Sequence, residues 1–189
     1  MAVLFIAPTL RAEPLHDAAK AGSLEAVKQL LDQGADLQSF DELGETPLTA
    51  AALAGQLASV KLLLARGADI NGRNAGGFTL LHAAAYHGHT EIVAIALDLG
   101  APIDDQKNKA RITPLHGAVE RNHFDTARFL VERGARIDLT ELNGWTPTAR
   151  ATFKRFGPMV QYLRDKGGEC PAQSVVGAGH NGFCLKPDG

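Results

Sequence analysis

Aromatic residues and long apolar runs are scarce in this chain of 189 residues. Phe, Trp and Tyr together make up 6% of the sequence, and charged residues make up 21%. The formal net charge of −2 leaves no surplus of positive charge to attract nucleic acid or an anionic membrane surface. No run approaches the roughly 20 apolar residues that a membrane-spanning helix needs. We therefore expect neither a nucleic-acid partner nor membrane insertion.

Cysteine is nearly absent, and the two cysteines both lie near the C-terminus. Cys170 and Cys184 stand in a glycine-rich segment, where a disulfide between them would fasten the tail. Two free thiols in a cytosolic protein are the alternative interpretation. We expect the disulfide, and with it an oxidising compartment.

Residues 1–13 form an apolar N-terminal segment, in which Met1 to Pro8 reads MAVLFIAP. This segment fits the end of a secretory signal with cleavage after Ala12, although the basic stretch of such a signal is missing. An apolar arm that covers the first helix is the alternative. Together with the cysteines, the segment favours a periplasmic or secreted protein over a cytoplasmic one.

The main positive signal is an internal repeat. Recurring glycines are separated by 33, 33, 34 and 33 residues, at Gly34, Gly67, Gly100, Gly134 and Gly167. Alanine-led pairs keep the same steps, and so does a threonine that is usually followed by proline, at Thr46, Thr79, Thr113 and Thr146. Because three markers share one register, the sequence predicts five copies of one structural unit.

Each marker has a physical task in a helix–turn–helix unit. Thr46 can cap a helix, and Pro47 costs no hydrogen bond at the first helical position. Gly55 follows where the first helix should end in a left-handed conformation, and Asn122 takes this place in the fourth unit. A second helix with apolar spacing then ends at the next recurring glycine. The pattern predicts an all-α solenoid whose units are joined by β-turn fingers.

This pattern resembles the ankyrin repeat. The matching segments are ETPLTAAA at 45–52, GADIN at 67–71, GHTEIV at 88–93 and TPLH at 113–116. The expected units are about 14–40, 41–73, 74–106, 107–140 and 141–170, and a glycine-rich tail follows at 171–189. The first and last units carry charged residues where the others have small or apolar ones, so we expect them to cap the solenoid at both ends.

Two departures from the repeat carry structural expectations. The fourth unit has one extra residue around 107–111, and Arg111 replaces the usual glycine, so its finger should be distorted. In the last unit Arg150, Thr152, Lys154 and Arg155 are polar, and we expect them to lie on a solvent-facing outer side.

The resemblance implies a non-catalytic module that binds another protein through its concave surface and turn tips. Transferred to this sequence, the contact positions are Glu42, Leu43, Glu45, Leu53, Phe78, Tyr86, His87, Lys109, Ile112, Glu120, Arg121 and Trp145. Aromatic side chains among them predict anchors for a partner. Their charge changes from acidic in the second unit to basic in the fourth, which predicts one binding orientation.

Other classes of function have weaker signals. Val175 to Gly182 matches the Gly-x-Gly-x-x-Gly pattern but lacks the strand and helix that nucleotide binding requires. The TPLH histidines should bond to the backbone of neighbouring turns, at His16, His82 and His116. His87, His89 and Glu91 lie across a turn and not on one helix face, so no metal site is expected.

We therefore expect a monomeric protein that is not an enzyme and needs no cofactor. Two alternatives stay open from the sequence. The chain could be a structural scaffold or oligomer subunit without a discrete ligand. A metal-binding protein that depends on its histidines is the less favoured alternative.

Overall fold

The computed structural model describes residues 15–169. Ten α-helices and no β-strands lie in this range: α1 Leu15–Ala21, α2 Leu24–Asp32, α3 Pro47–Leu53, α4 Leu57–Ala65, α5 Leu80–His87, α6 Thr90–Asp98, α7 Pro114–Glu120, α8 Phe124–Glu132, α9 Pro147–Phe153 and α10 Gly157–Asp165. The apolar N-terminal segment, Cys170, Cys184 and the glycine motif at 175–182 lie outside the described residues. The expected disulfide and signal remnant therefore stay predictions.

The helices form two layers of a repetitive stack. The first helices α1, α3, α5, α7 and α9 each pack against the next in one layer, and each also packs against the second helix of its own unit. The second helices α2, α4, α6 and α8 make the other layer. The predicted all-α repeat solenoid is confirmed.

Small side chains allow the first helices to approach closely. The recurring alanines are fully buried between neighbouring helices, at Ala18, Ala51, Ala84, Ala118 and Ala151. Larger apolar residues fill the space between the two layers, as Leu63 and Leu163 do with no exposed surface. A single continuous core therefore runs through all the described units.

The ends of the first helices follow the sequence signals. Thr46 caps α3 by accepting a hydrogen bond from the Thr49 amide at 3.2 Å, and Pro47 begins the helix. Asn122 adopts the left-handed conformation with φ of 57°, as predicted, in the place where Gly88 has a φ of 77°. Arg155 adopts it as well, with φ of 60°, which the sequence did not indicate.

A five-residue finger precedes each first helix from α3 onward, at 41–45, 74–78, 108–112 and 141–145. In the third unit the Asn74 amide donates to the Phe78 carbonyl at 2.9 Å, and the Asn74 side chain accepts from the Phe78 amide at 2.9 Å. In the fourth finger the Asn108 side-chain amide donates to the Ile112 carbonyl at 2.6 Å, and Arg111 takes the left-handed place of a glycine with φ of 53°. The expected distortion is therefore seen as a change of donor: the side-chain amide of Asn108 takes the role that the backbone amide of Asn74 has in the third finger.

Histidines of the first helices bond to the backbone of neighbouring turns. His116 Nε2 lies 3.0 Å from the Trp145 carbonyl, and His82 Nε2 lies 3.0 Å from the Ile112 carbonyl, each in the finger of the next unit. His16 Nε2 lies 3.0 Å from the Ser39 carbonyl, just before the finger 41–45. The predicted bonding of these three rings to neighbouring backbone is confirmed, and it fixes the fourth and fifth fingers relative to the units before them.

Candidate partner-binding site

The fingers and the first helices of three consecutive units enclose a pocket of about 220 Å³. We call it the finger pocket. Five of its lining residues are predicted contact residues: Glu45, Leu53, Phe78, Tyr86 and Ile112. The other lining residues are Asn74, His82, Ala83, Thr113 and Gly117. The structure thus brings together residues that are far apart in the sequence and that the repeat register had placed on one face.

Phe78 and Tyr86 supply the aromatic walls of the finger pocket. Phe78 is the last residue of its finger, and its ring meets the His82 ring edge-to-face at a centroid distance of 5.5 Å. Tyr86 lies near the end of α5, and 38% of its surface is exposed. The Arg121 guanidinium lies 5.1 Å from the Tyr86 ring centroid, in reach of a cation–π interaction.

His82 is held rigidly beneath Phe78. Its Nδ1 atom lies 3.0 Å from the Thr79 hydroxyl, while Nε2 lies near the Ile112 and Asp105 carbonyls. Burial lowers the pKa of His82 below its ordinary value, although the hydrogen bonds to these carbonyls and the charge of Asp105 partly oppose this. The ring is therefore neutral near pH 7 and acts as a structural support.

Small residues keep the finger pocket open at the side of α5 and α7. Ala83 and Gly117 occupy equivalent places in consecutive first helices, and a Cβ atom added to Gly117 would lie 3.5 Å from the Tyr86 Cβ. The sequence signal for this opening was the glycine at a place that holds alanine in the second and third units. The repeat pattern alone does not assign that glycine to a binding site.

Glu45 supplies the acidic group of the finger pocket. Its Oε1 atom accepts a hydrogen bond from the Asn74 side-chain amide at 2.9 Å. Its Oε2 atom is buried and has no hydrogen-bond partner among residues 15–169. A carboxylate with one unused and enclosed oxygen favours the approach of a hydrogen-bond donor.

Five other predicted residues are exposed on the same fingers or next to Tyr86 along the chain or in space. Leu43 is 78% exposed at the tip of the second finger, beside the exposed Glu42. Lys109 is exposed in the fourth finger, and His87 and Arg121 are exposed beyond Tyr86. These positions can be reached by a partner that also enters the finger pocket.

The negative charge at the second finger comes from Glu42 and Glu45. Asp41 contributes little to it, because its carboxylate forms an ion pair with Lys20 at 2.7 Å. Burial would raise the pKa of Asp41, but hydrogen bonds from Lys20 and from the Glu45 amide lower it below its ordinary value. Asp41 is therefore ionised and already paired.

Glu120 and Trp145, both predicted contact residues, lie outside the finger pocket. Glu120 forms ion pairs with Arg150 and with Lys154, the latter at 2.5 Å. The Trp145 ring packs edge-to-face on Phe153 at a centroid distance of 4.9 Å. Both residues hold the fourth and fifth units together, and their contact with a partner stays a prediction.

Lys154 and Arg155 of the last unit are exposed as expected, but Arg150 does not face solvent. Its side chain is only 18% exposed and bonds to Glu120 and to the buried Glu141. Arg150 stands at the place that Gly117 has in the fourth unit, so it points toward the fingers and not toward the outer side. In the fifth unit the long side chain of Arg150 occupies the place that the equivalent Gly117 leaves open in the fourth unit.

Residues 15–169 were also compared with the requirements of a metal site and of a membrane-spanning helix. His87 and His89 stack at a centroid distance of 6.0 Å, but residues 15–169 hold no group of three His, Cys, Asp or Glu side chains that could bind a metal ion. Within that range no helix combines the length and the apolar character needed to cross a bilayer.

A family model described as "Ankyrin repeats (3 copies)" matches residues 7–74 and 81–174. No curated protein matches the sequence.

Proposed function

The chain belongs to the ankyrin-repeat family, and from that premise we propose that it binds another protein through the finger pocket and the finger tips. Ankyrin repeats generally mediate protein–protein interaction, and repeat solenoids use extended surfaces for it. The observation that carries the proposal is the convergence of predicted contact residues from three repeats on one pocket.

The composition of the finger pocket supports a protein partner. Binding energy at protein interfaces is concentrated in a few aromatic and large apolar side chains that lie in pockets. Phe78 and Tyr86 provide such side chains here, and Leu53 and Ile112 add apolar surface. The exposed Leu43 at the neighbouring finger tip extends the same surface. We propose that the chain is a monomer that has no catalytic role.

The proposal is tested by isolating the partner with the full chain and then measuring its affinity for variants. We expect the combined change Phe78→Ala, Tyr86→Ala and Ile112→Ala to weaken binding at least about 100-fold, since each anchor contributes more than about 1 kcal/mol. Tyr86→Ala alone should already weaken binding, and its exposed ring makes it the variant least prone to unfold.

A matched control lies on the second helices. Lys61, Glu91 and the 58% exposed Leu99 stand on or directly after α4 and α6, in the other layer. Replacing these three residues with alanine should leave the affinity unchanged. Equal affinity of both triple variants would contradict the proposal. Self-association that Tyr86→Ala abolishes would instead make the finger pocket a contact between copies of the chain.

We also propose, from the sequence alone, that the protein works in an oxidising compartment such as the periplasm or outside the cell. Mass spectrometry without reducing agent, on protein from its native cells, should show Cys170 linked to Cys184 and an N-terminus near Glu13. Two free thiols together with an intact Met1 would contradict this proposal and would indicate a cytoplasmic protein.

A further inference from the structure

The polar groups that line the finger pocket are almost all bonded to one another. The Asn74 side chain accepts from the Phe78 amide and donates to Glu45. The Thr113 hydroxyl bonds to the His116 ring at 2.8 Å, and both ring nitrogens of His82 have partners. Among these enclosed groups only Glu45 Oε2 has no partner within residues 15–169. The finger pocket therefore offers an acceptor and no unused enclosed donor.

No cation of the described residues neutralises Glu45. Lys20 is paired with Asp41, and Arg73 is paired with Asp105 at 2.7 Å. Arg121, the cation over Tyr86, forms no ion pair with Glu45 in the described part of the chain. The exposed Glu42 adds a second negative charge at the same finger. The charge at this end of the finger pocket is complementary to a cationic ligand.

The finger pocket is smaller than the usual site of a small-molecule ligand. Pockets for such ligands have volumes of roughly 300–1,000 Å³, whereas this one has about 220 Å³. A volume below that range suits a single side chain of a protein partner. The mixture of apolar walls and one carboxylate requires a side chain with an apolar stem and a positively charged end.

We infer that the finger pocket accepts an arginine side chain of the partner, whose guanidinium pairs with Glu45 while its stem lies against Phe78 and Tyr86. This inference rests on the proposed function, since it names the partner's chemistry at that same site. A guanidinium donates two parallel hydrogen bonds to a carboxylate and stacks on aromatic rings, which the compact lysine ammonium does less well. Arg121 shows that a guanidinium fits near the Tyr86 ring in this protein.

The Glu45 carboxylate must turn to meet this ligand, because its Oε2 atom is covered by neighbouring atoms. A half-turn about the last torsion would only exchange the two equivalent oxygens, so an earlier torsion of the Glu45 side chain must change to bring Oε2 to the ligand. This movement gives up the hydrogen bond from Asn74, which the guanidinium of the ligand replaces. The ligand would then supply the donors that the enclosed oxygen lacks.

The test uses the full chain and three capped tripeptides: acetyl-Ala-Arg-Ala-amide, its lysine analogue and its citrulline analogue, which has the shape of arginine without the charge. Binding is followed by amide NMR. We expect the arginine peptide to shift the Phe78, Tyr86 and Gly117 signals saturably. The citrulline peptide should bind about ten-fold more weakly or worse, because a charge-assisted hydrogen bond is lost.

Two variants make the test specific. Glu45→Gln retains the shape and an acceptor for Asn74 but removes the charge, and it should remove the preference for arginine over citrulline. Glu91→Gln removes the same charge from an exposed position on α6, in the other layer, and should retain that preference. Thermal melting of both variants checks that they are folded.

Several results would overturn the inference. Equal binding of the arginine and citrulline peptides would exclude a cationic ligand, and equal binding of arginine and lysine would exclude the assignment to arginine. A lack of saturable shifts with all three peptides would exclude a site for this side chain. If the partner's affinity falls with Tyr86→Ala but not with Glu45→Gln, the proposed function stands and this inference fails. If it falls with neither, the proposed function fails too.

Discussion

At the scale of single residues, His116 links helix capping, contact between repeats and pH. The ring is 1% exposed, bonds through Nδ1 to the Thr113 hydroxyl and through Nε2 to the Trp145 carbonyl. Burial lowers the pKa of His116 to about 4, with a further contribution from the positive charge of Arg150, and the bond to Trp145 opposes this. The ring is therefore neutral in the folded protein at pH 7.

This pKa predicts an acid-sensitive fold. The unfolded chain binds a proton at His116 below about pH 6.5, whereas the folded protein binds it only near pH 4. The free energy of unfolding therefore decreases as the pH is lowered from about 6.5 to about 4. The loss from His116 reaches at most about 3 kcal/mol. Urea unfolding across this range should show it, and His116→Gln should give a shallower slope. Parallel slopes for both proteins would contradict the assignment.

Gly117 is a residue at which stability and binding should change in opposite directions. Alanine is favoured over glycine inside a helix by roughly 0.5–1 kcal/mol, and the added methyl group would be in ordinary contact with Tyr86 at 3.5 Å. We expect Gly117→Ala to raise the melting temperature and to weaken partner binding by narrowing the finger pocket.

Gly157→Ala is the matched control for this change. Gly157 begins α10, and no neighbouring atom lies within 4 Å of an added Cβ. This variant should leave partner affinity unchanged, as measured by calorimetry on both proteins. If Gly117→Ala binds the partner as tightly as the unmodified chain, the finger pocket does not need the space beside Tyr86.

At the scale of helices and fingers, the helix ends and the histidine bonds to neighbouring turns were predictable, whereas the side-chain ion pairs between repeats were not. The starts of α3 and α7 followed from Thr46 and Thr113, because a capping side chain acts within its own first turn. The repeat register also placed Glu45, Phe78 and Ile112 on one face, since equivalent residues of stacked repeats lie side by side.

The remaining features depend on distances between repeats that no sequence pattern indicates. The contacts of Arg150 with Glu120 and Glu141 depend on how α7 and α9 pack, so no sequence pattern indicates that this cation is buried. The use of Gly117 as an opening depends in the same way on the placement of the Tyr86 side chain. Side-chain contacts across a helix interface therefore could not be predicted from the sequence.

The Arg150 ion pairs predict a strongly stabilised last repeat, because Arg150 bonds to Glu141 within that repeat and to Glu120 across the junction with the fourth. Removal of this guanidinium leaves the 4% exposed Glu141 without its cation, and breaking a buried pair costs about 3–5 kcal/mol. The Arg150 side chain is still 18% exposed, so we expect Arg150→Ala to lower the free energy of unfolding by about 3 kcal/mol, the lower end of this range. Urea unfolding measures this change.

Arg136 provides the comparison for that measurement. It pairs with Asp138 at 2.9 Å, and both side chains are more than half exposed. Water and salt screen such a pair, so Arg136→Ala should not change the unfolding midpoint measurably. Similar losses for the two variants would show that Arg150 has no special role at the junction.

At the scale of the whole molecule, the main helix contacts among residues 15–169 lie within one repeat or between neighbouring repeats. The helices of each repeat pack on each other and on those of the next repeat, as α5 does on α3 and α7. Stability in such a solenoid is close to a sum of repeat and interface contributions. A central repeat has two interfaces and a terminal repeat has one. The same destabilising substitution should therefore affect more helices in a central repeat than in a terminal one.

Leu63 and Leu163 allow this expectation to be tested with one kind of substitution. They occupy equivalent places in α4 and α10, and neither has any exposed surface. Replacing either with alanine should destabilise its surroundings by about 2–5 kcal/mol. We expect Leu163→Ala to speed amide hydrogen exchange in α9 and α10 alone, because the terminal repeat can open without its neighbours. Leu63→Ala should speed exchange from α1 through α6, since opening this repeat separates its interfaces with the first and the third repeats. Uniformly faster exchange along the whole chain in both variants would instead mean that the repeats unfold as one cooperative unit.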